Sequence, residues 1–348
     1  MAEGGKHVVF GANGPVGSEL VRILAERGQQ VVAASRRGGF KVPAGVKAVV
    51  GDASRTEDTY RLCMGSDTVY CCVGIDYTKW SESWPGIING LIEGVSNAGS
   101  RPVFADNLYS YGPVSEVMQE DLPLTAYGEK PALRARLVRN LLRAHESGRC
   151  PTVIVKASDF YGPGVRNAML GERVFPNALA GKPAQMLGDV SKRHAYTYAP
   201  DFARALATVA PDRSAYGKIW NCPNAPALST EEVLALVYRE AGHELRIQSM
   251  PKLLLNIVAS FNPLLRSVRE MLYQFESDFL VDDSRFREQY GFEPTPLLEG
   301  IRATLDWYRR QGDGNGNGNG NGNGNGHAKP AAEQKEQASS VKPDGNAG

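Results

Sequence analysis

Short apolar runs alternate with amphipathic stretches over the first 160 or so residues, and this alternation sets the reading of the chain. His7-Val8-Val9-Phe10 is too brief for a helix and ends in three glycines, Gly11, Gly14 and Gly17, so it reads as strand, tight turn and helix start. Leu20, Ile23 and Leu24 then recur at helical spacing until Arg27-Gly28 stops the helix. A second strand runs from Gln30 to Ala34 and a third from Val46 to Val50, closed by Gly51-Asp52. Thr68 to Gly74 is a near-continuous apolar run of the kind buried on both faces of a sheet. A helix from about Trp84 to Ala98 leads to a fifth strand, Pro102 to Asn107. Another helix, about Pro131 to Ser147, carries Leu133, Leu137, Leu141 and Leu142 on one face, and the sixth strand is Pro151 to Ala157. Strands and helices in this rhythm predict an α/β fold, a doubly wound parallel sheet with right-handed crossovers.

Beyond Asp159 the rhythm changes. Tyr161-Gly162-Pro163-Gly164 opens a stretch rich in glycine and proline, and helical segments near Asp201–Ala210 and Thr230–Ala241 flank a short strand, Lys218–Cys222. Leu298, Ile301, Leu305 and Trp307-Tyr308 mark a last helix. The expected organisation is a Rossmann nucleotide-binding domain over residues 1–164, with late elements near 195–225 returning to it. Residues 165–311 then form most of a smaller, interwoven substrate lobe. From Gly312 to the end, Gly-Asn repeats and polar residues offer almost no apolar side chains against ordering entropy, so 312–348 reads as a disordered tail. Lys252 to Leu265 is the most apolar late segment but is broken by Asn256, Asn262 and Pro263 and is too short to span a bilayer. It reads as a helix over a substrate cleft or at a subunit interface, with a membrane-surface helix as the alternative.

Composition narrows the function. A net charge of +1 gives no broad basic field for nucleic acid or an anionic membrane. No charged-then-apolar leader precedes Val8, whose apolar run is already spent on the first strand. The five cysteines, Cys63, Cys71, Cys72, Cys150 and Cys222, include no C-x-x-C pair, which fits reduced thiols in a cytoplasmic protein. The five histidines show no ligand spacing, so no metal is expected.

The glycine spacing carries the chemistry. Gly11 permits a sharp turn, Gly14 leaves no side chain where a pyrophosphate would approach, and Gly17 lets the helix pack on the strand. With Asn13, Pro15 and Val16 they form a helix start whose unpaired amides face an anion, and Pro15 suits a first turn that needs no amide hydrogen. About 20 residues on, where an acid would accept from a ribose 2′-hydroxyl, stand Ser35, Arg36 and Arg37. Guanidinium groups there hold a 2′-phosphate, which favours NADP(H) over NAD(H).

These residues resemble the extended short-chain dehydrogenase/reductase family, also called the NAD-dependent epimerase/dehydratase family, from His7 to about Arg310. The motifs are the G-x-x-G-x-x-G, Gly51-Asp52, the strand ending at Gly74, Tyr111-Gly112, Tyr161-Gly162-Pro163-Gly164, Tyr196 to Asp201, and Trp220-Asn221. The resemblance implies that Asp52, with Ala53 beside it, meets the adenine and that Gly74 admits the cofactor to the backbone. It also implies a homodimer through long helices. The catalytic pattern departs from the family's. Asn107 stands where a Ser or Thr is expected, and the Tyr-x-x-x-Lys becomes Thr125-Ala126-Tyr127-Gly128-Glu129-Lys130, with the tyrosine three residues before the lysine. Tyr127 is the candidate acid, Lys130 the group that holds the ribose and biases a neighbouring pKa, and Asn107 a donor to the carbonyl. Tyr109 and Tyr111 lie in the same loop and are alternative acids or substrate contacts, as are Asp159 and Tyr161 at a strand's carboxyl end for substrate; His194 reads as structural.

The expected function is an NADP-dependent oxidoreductase acting on a carbonyl or enone of a small molecule. Two alternatives stay open: an epimerase or dehydratase of nucleotide sugars that retains its cofactor, and a dinucleotide sensor without catalysis.

Overall fold

The computed structural model describes residues 5–249 and 269–314. The segment from Lys252 to Leu265 and all but the first residues of the expected tail lie outside the described residues.

Six strands and four helices build the first part of the chain: β1 (Lys6–Phe10), α1 (Pro15–Glu26), β2 (Gln30–Ser35), β3 (Lys47–Val50), α2 (Thr56–Cys63), β4 (Thr68–Cys71), α3 (Trp80–Ala98), β5 (Arg101–Asn107), α4 (Lys130–Glu146) and β6 (Val153–Ala157). Then come β7 (Asp159–Tyr161), α5 (Phe175–Leu179), β8 (Ala184–Met186), β9 (Arg193–His194), β10 (Tyr196–Tyr198), α6 (Ala199–Val209) and β11 (Ile219–Asn221). The described chain closes with β12 (Leu228–Ser229), α7 (Thr230–Ala241), β13 (Ile247–Ser249), α8 (Ser284–Tyr290) and α9 (Leu297–Gly314). Seven strands form the parallel central sheet in the order β11-β6-β5-β4-β1-β2-β3. The doubly wound α/β fold is therefore as the alternation indicates.

Burial explains the strand sequences. Val8, Val9 and Phe10 in β1, and Val153, Ile154 and Val155 in β6, are at most 1% exposed, because helices cover both faces of the sheet. One apolar layer gathers α1 and α6 through Leu20, Val21, Phe202 and Leu206, and the other gathers α2, α3 and α4 through Leu62, Leu91, Val95 and Leu137. A third cluster, with Phe175, Val233, Leu234, Ile301 and Leu305, is the core of the second lobe. That lobe adds only two-stranded ribbons, β10-β7, β12-β9 and β13-β8.

Three boundaries differ from the sequence reading for local reasons. α2 has no sequence signal beyond Thr59, Leu62 and Cys63, and it is fixed by tertiary contact: the Thr59 hydroxyl donates to the Gly90 carbonyl of α3 at 2.7 Å. α3 starts at Trp80 rather than Trp84, and Pro85 falls inside it, where it removes one hydrogen bond of the helix ladder. α9 continues to Gly314, through the first residues assigned to the tail.

Candidate active site

In this strand order the chain reverses direction between β1 and β4, and the crevice above their carboxyl ends is where doubly wound sheets take ligands. The glycine turn sits there. Gly11 has φ +78°, and a Cβ on it would lie 2.3 Å from the Cys72 carbonyl oxygen of the adjoining strand. A Cβ on Gly17 would lie 2.3 Å from the Gly11 carbonyl oxygen, so these two glycines are demanded by the fold itself. Gly14 differs, since its Cβ would meet only the Gly11 carbonyl oxygen, at 3.4 Å. What its hydrogen leaves open is the outer side of the turn. Gly11 N–H and Ala12 N–H donate to the Ala34 carbonyl and Gly14 N–H to that of Gly11. Among the described residues, the amides of Asn13, Val16 and Gly17 have no acceptor, and no side chain caps α1 or places an acid in its first turn. The result is a cluster of free donors at the positive end of a helix dipole, matched to a diphosphate.

Toward β2, Ser35 is buried and accepts through its carbonyl from Gly51 N–H, while Arg36 and Arg37 are exposed with no ion-pair partner among the described residues. Asp52 spends Oδ1 on the backbone N–H and hydroxyl of Ser54, which leaves Oδ2 for an amine. Ala53 is buried with its carbonyl facing Gly90 of α3. Gly74, beyond β4, is open: nothing lies within 4 Å of where its Cβ would stand.

Under the other end of the crevice lies a buried charge cluster that the sequence reading did not include. β5 and β6 pair in a register that sets Asp106 opposite Lys156. Lys156 is fully buried, and its ammonium donates to Asp106 Oδ2 at 2.6 Å, Ser110 Oγ at 2.6 Å and the Asn107 carbonyl at 3.0 Å. Arg134 of α4 donates to Asp106 Oδ1 and lies over the Trp84 ring, 4.2 Å from its centre. Burial alone would raise the Asp106 carboxyl, but Arg134 and Lys156 outweigh it and pull it down to about 2. Since Lys156 holds both ends of the turn Asn107–Ser110, this cluster fixes the loop that carries Asn107 and Tyr109. The signal for it was present: a lysine inside Val153-Ile154-Val155-Lys156-Ala157 has to meet a buried acid, and the only acid in β5 is Asp106.

The loop itself presents mixed chemistry. Asn107 Oδ1 accepts from Tyr109 N–H at 3.1 Å, so the turn orients its amide and leaves Nδ2 as a donor. Tyr109 is buried and its hydroxyl meets that of Tyr77 at 2.7 Å. Tyr77, three residues past Gly74, stacks on Trp80 at 4.9 Å. Asp159, at the start of β7, is in electrostatic reach of Tyr77, Tyr109 and Tyr273, and its Oδ2 is 2.9 Å from His194 Nε2. His194 Nδ1 faces the Gln274 carbonyl at 3.2 Å, and the ring lies between Phe275 and Phe279. The fold thus brings Asn107, Tyr109 and Asp159 together, and adds Tyr77, His194 and Tyr273.

Other expected residues are placed differently. Tyr127 precedes α4, keeps 46% of its surface exposed and sets its ring edge-on to Tyr273 at 5.7 Å. Lys130 is the first residue of α4 and is buried. Glu270 holds it, with Oε2 3.2 Å from Nζ and Oε1 accepting from the amides of Glu129 and Lys130. No sequence signal announces Glu270, which is 140 residues away. Two candidates are turned from the cleft, which corrects their assignment as substrate contacts. Tyr111 donates its hydroxyl to the Glu120 carbonyl and packs with Leu108, Met118 and Phe279. Tyr161 is 1% exposed, with its ring against Gly300 of α9, although alternation along β7 puts it on the same side of the strand as Asp159. Here the shared side of the strand is filled at Tyr161 by the second lobe's core. Among the described residues no group of His, Cys, Asp and Glu could hold a metal, and no helix is long and apolar enough to cross a membrane.

A doubly wound parallel sheet with free amides at its switch point and a polar cleft beyond defines a dinucleotide-binding Rossmann enzyme of the extended short-chain dehydrogenase/reductase class. Residues 7–222 match the model of the NAD dependent epimerase/dehydratase family. The chain belongs to that family, whose enzymes depend on a nicotinamide dinucleotide. It is similar to a dTDP-4-dehydro-6-deoxy-D-allose reductase of Streptomyces sp., with 25% identity over 332 residues, 87% of this chain and 95% of that protein. It is also similar to the dTDP-glucose 4,6-dehydratase of Neisseria gonorrhoeae, with 27% identity over 198 residues, 53% of this chain and about half (51%) of that protein. The fold resembles UDP-glucuronic acid 4-epimerase from Bacillus cereus, solved in complex with NAD, at TM-score 0.71 and 18% identity over 88% of this chain and 99% of that one.

Proposed function

We propose that the protein moves a hydride between NADP(H) and a ring carbon of a nucleotide-linked sugar, in the manner of a keto-sugar reductase. The carrying observation is the cluster of free amides at Asn13, Val16 and Gly17 beside the open side of Gly14, a cradle for the coenzyme diphosphate. Similarity along nearly the whole length of a reductase of a dTDP-linked keto-sugar favours that substrate class over the free carbonyl or enone expected from the residues alone. The coenzyme, when bound, supplies or accepts the hydride. Gly74 gives it room, Asn107 Nδ2 orients the carbonyl, and Lys130, freed from Glu270, meets its ribose. The two coenzymes are argued from opposite sides: the solved epimerase holds NAD, whereas in this chain β2 is followed by two arginines without an ion pair among the described residues and by no acid, and we assign NADP on that ground. Tyr127 and the phenols of the cleft compete for the acid's role.

The test mixes purified protein with NADPH and a dTDP-linked 4-keto-6-deoxyhexose and follows nicotinamide absorbance. Stoichiometric NADPH oxidation supports the proposal. A second reading, a retained-cofactor epimerase or dehydratase, is favoured by the likeness to dTDP-glucose 4,6-dehydratase. Offered dTDP-glucose, it would instead give sugar turnover with no net change in added NADPH and a coenzyme that co-purifies.

A further inference from the structure

The Tyr-x-x-x-Lys pattern is absent, α4 begins only at Lys130, and Tyr127 lies outside it and half exposed. The cleft nevertheless contains a phenol pair that no motif announces. Tyr77 and Tyr109 share a hydrogen bond of 2.7 Å, and Trp80 stacks beside both, at 4.9 Å from Tyr77 and 5.9 Å from Tyr109. Tyr109 is sealed in the protein, whereas Tyr77 is partly exposed and follows the open backbone at Gly74. Tyr77 is thus the more exposed of the two phenols. Asp159 lies within electrostatic reach of both, and its partner His194 has Nδ1 against a backbone carbonyl, which only an N–H satisfies. The 2.9 Å contact between His194 Nε2 and Asp159 Oδ2 keeps the Asp159 side chain in place.

We propose that Tyr77 is the catalytic acid and that Tyr109 relays a proton to it. This rests on the hydride-transfer function proposed above. As the carbonyl carbon takes a hydride from the reduced nicotinamide, its oxygen takes the Tyr77 proton. Tyr77 then takes the proton of Tyr109, and one proton from solvent recharges the pair. Nicotinamide is oxidised and the carbonyl reduced to an alcohol, with one proton drawn from solvent per turnover. Burial, eased by the bond from Tyr109, pushes the Tyr77 phenol up to about 12, and burial pushes Tyr109 well above its ordinary value, so both are protonated donors at neutral pH. Tyr109 acts through Tyr77 and is a relay residue.

The experiment compares wild type, Tyr77→Phe, Tyr109→Phe and Tyr127→Phe for NADPH affinity by calorimetry and for kcat and KM with a dTDP-linked 4-keto-6-deoxyhexose. Proton inventories in mixed light and heavy water accompany them. Tyr77→Phe is expected to lose about 100-fold or more in kcat with NADPH affinity and KM nearly unchanged. Tyr109→Phe is expected to lose about 10-fold, and its proton inventory, curved in wild type by two protons in flight, is expected to become linear. Wild-type kcat in Tyr77→Phe, or collapse in Tyr127→Phe with Tyr77→Phe active, overturns the relay alone. Wild-type protein that binds neither NADPH nor NADH overturns the underlying function and the relay with it.

Discussion

The two ends of the cleft are built from different material. The coenzyme end is made of backbone: free amides, a turn at positive φ and two glycines without room for a methyl, all within residues 11–17. The reacting end is made of side chains drawn from Tyr77, Asn107, Tyr109, Asp159, His194 and Tyr273, held by a buried salt-bridge cluster. A backbone site depends on local geometry and so leaves a local sequence mark. A side-chain site needs only that some residue deliver the right group to the right place, and its members can change position in the chain while the place stays.

The largest expected effect comes from removing the support of the reacting end. Lys156→Met leaves Asp106 buried with one partner in place of two, and loss of one member of such a cluster costs about 3–5 kcal/mol. Urea unfolding reads this directly. Replacing Asp106 by Asn alone leaves Lys156 and Arg134 as buried cations without their acid, and Lys156→Met removes one of them, so the double variant is expected to lose less than the two single losses added. If the two substitutions instead add, the cluster is not the unit described. Acid tests the same cluster. The folded Asp106 carboxyl is lowered, so its stabilisation is fully present above the unfolded value of about 4 and is lost as pH falls toward about 2. The stability of Lys156→Met should therefore fall less than that of wild type over this window.

The next effect separates fold from binding at the coenzyme end. Gly17→Ala drives a methyl to within 2.3 Å of the Gly11 carbonyl oxygen and is expected to cost about 1–3 kcal/mol of stability. Gly14→Ala, whose methyl meets only that oxygen at 3.4 Å, should leave the unfolding midpoint near wild type and weaken NADPH binding tenfold or more, about 1.4 kcal/mol. Equal effects of both variants on both measurements would mean that the turn is packing alone, with no ligand role for the open side of Gly14.

The same contrast explains what could be read from the chain. Runs such as Val8-Val9-Phe10 and Val153-Ile154-Val155 mark strands because a sheet covered on both faces admits little else. The glycines mark the turn because no other residue fits. α2 was not legible, since its stability is the Thr59 contact to Gly90 rather than its own periodicity. Tyr77, His194, Tyr273 and Glu270 converge only through loop paths that periodicity does not encode, whereas the Asp106–Lys156 pair was within reach of the rule that a buried lysine requires an acid.

The smallest expected effect sits at the outer edge of the coenzyme end, where side chains take over from backbone again. Arg36 and Arg37 are exposed and without ion pairs among the described residues, so nothing needs breaking before they meet a phosphate. Their exposure also weakens them, because solvent and salt screen the attraction. Arg36→Ala is therefore expected to weaken NADPH by about tenfold, roughly 1.4 kcal/mol, to leave NADH unchanged, and to lose most of its effect at 1 M salt. Calorimetric Kd values for both coenzymes, at low and high salt, measure it. Equal loss of both coenzymes would place Arg36 on the part they share, the adenosine or the diphosphate, and tighter wild-type binding of NADH would remove the 2′-phosphate from the argument and leave the glycine turn as the whole of the coenzyme site.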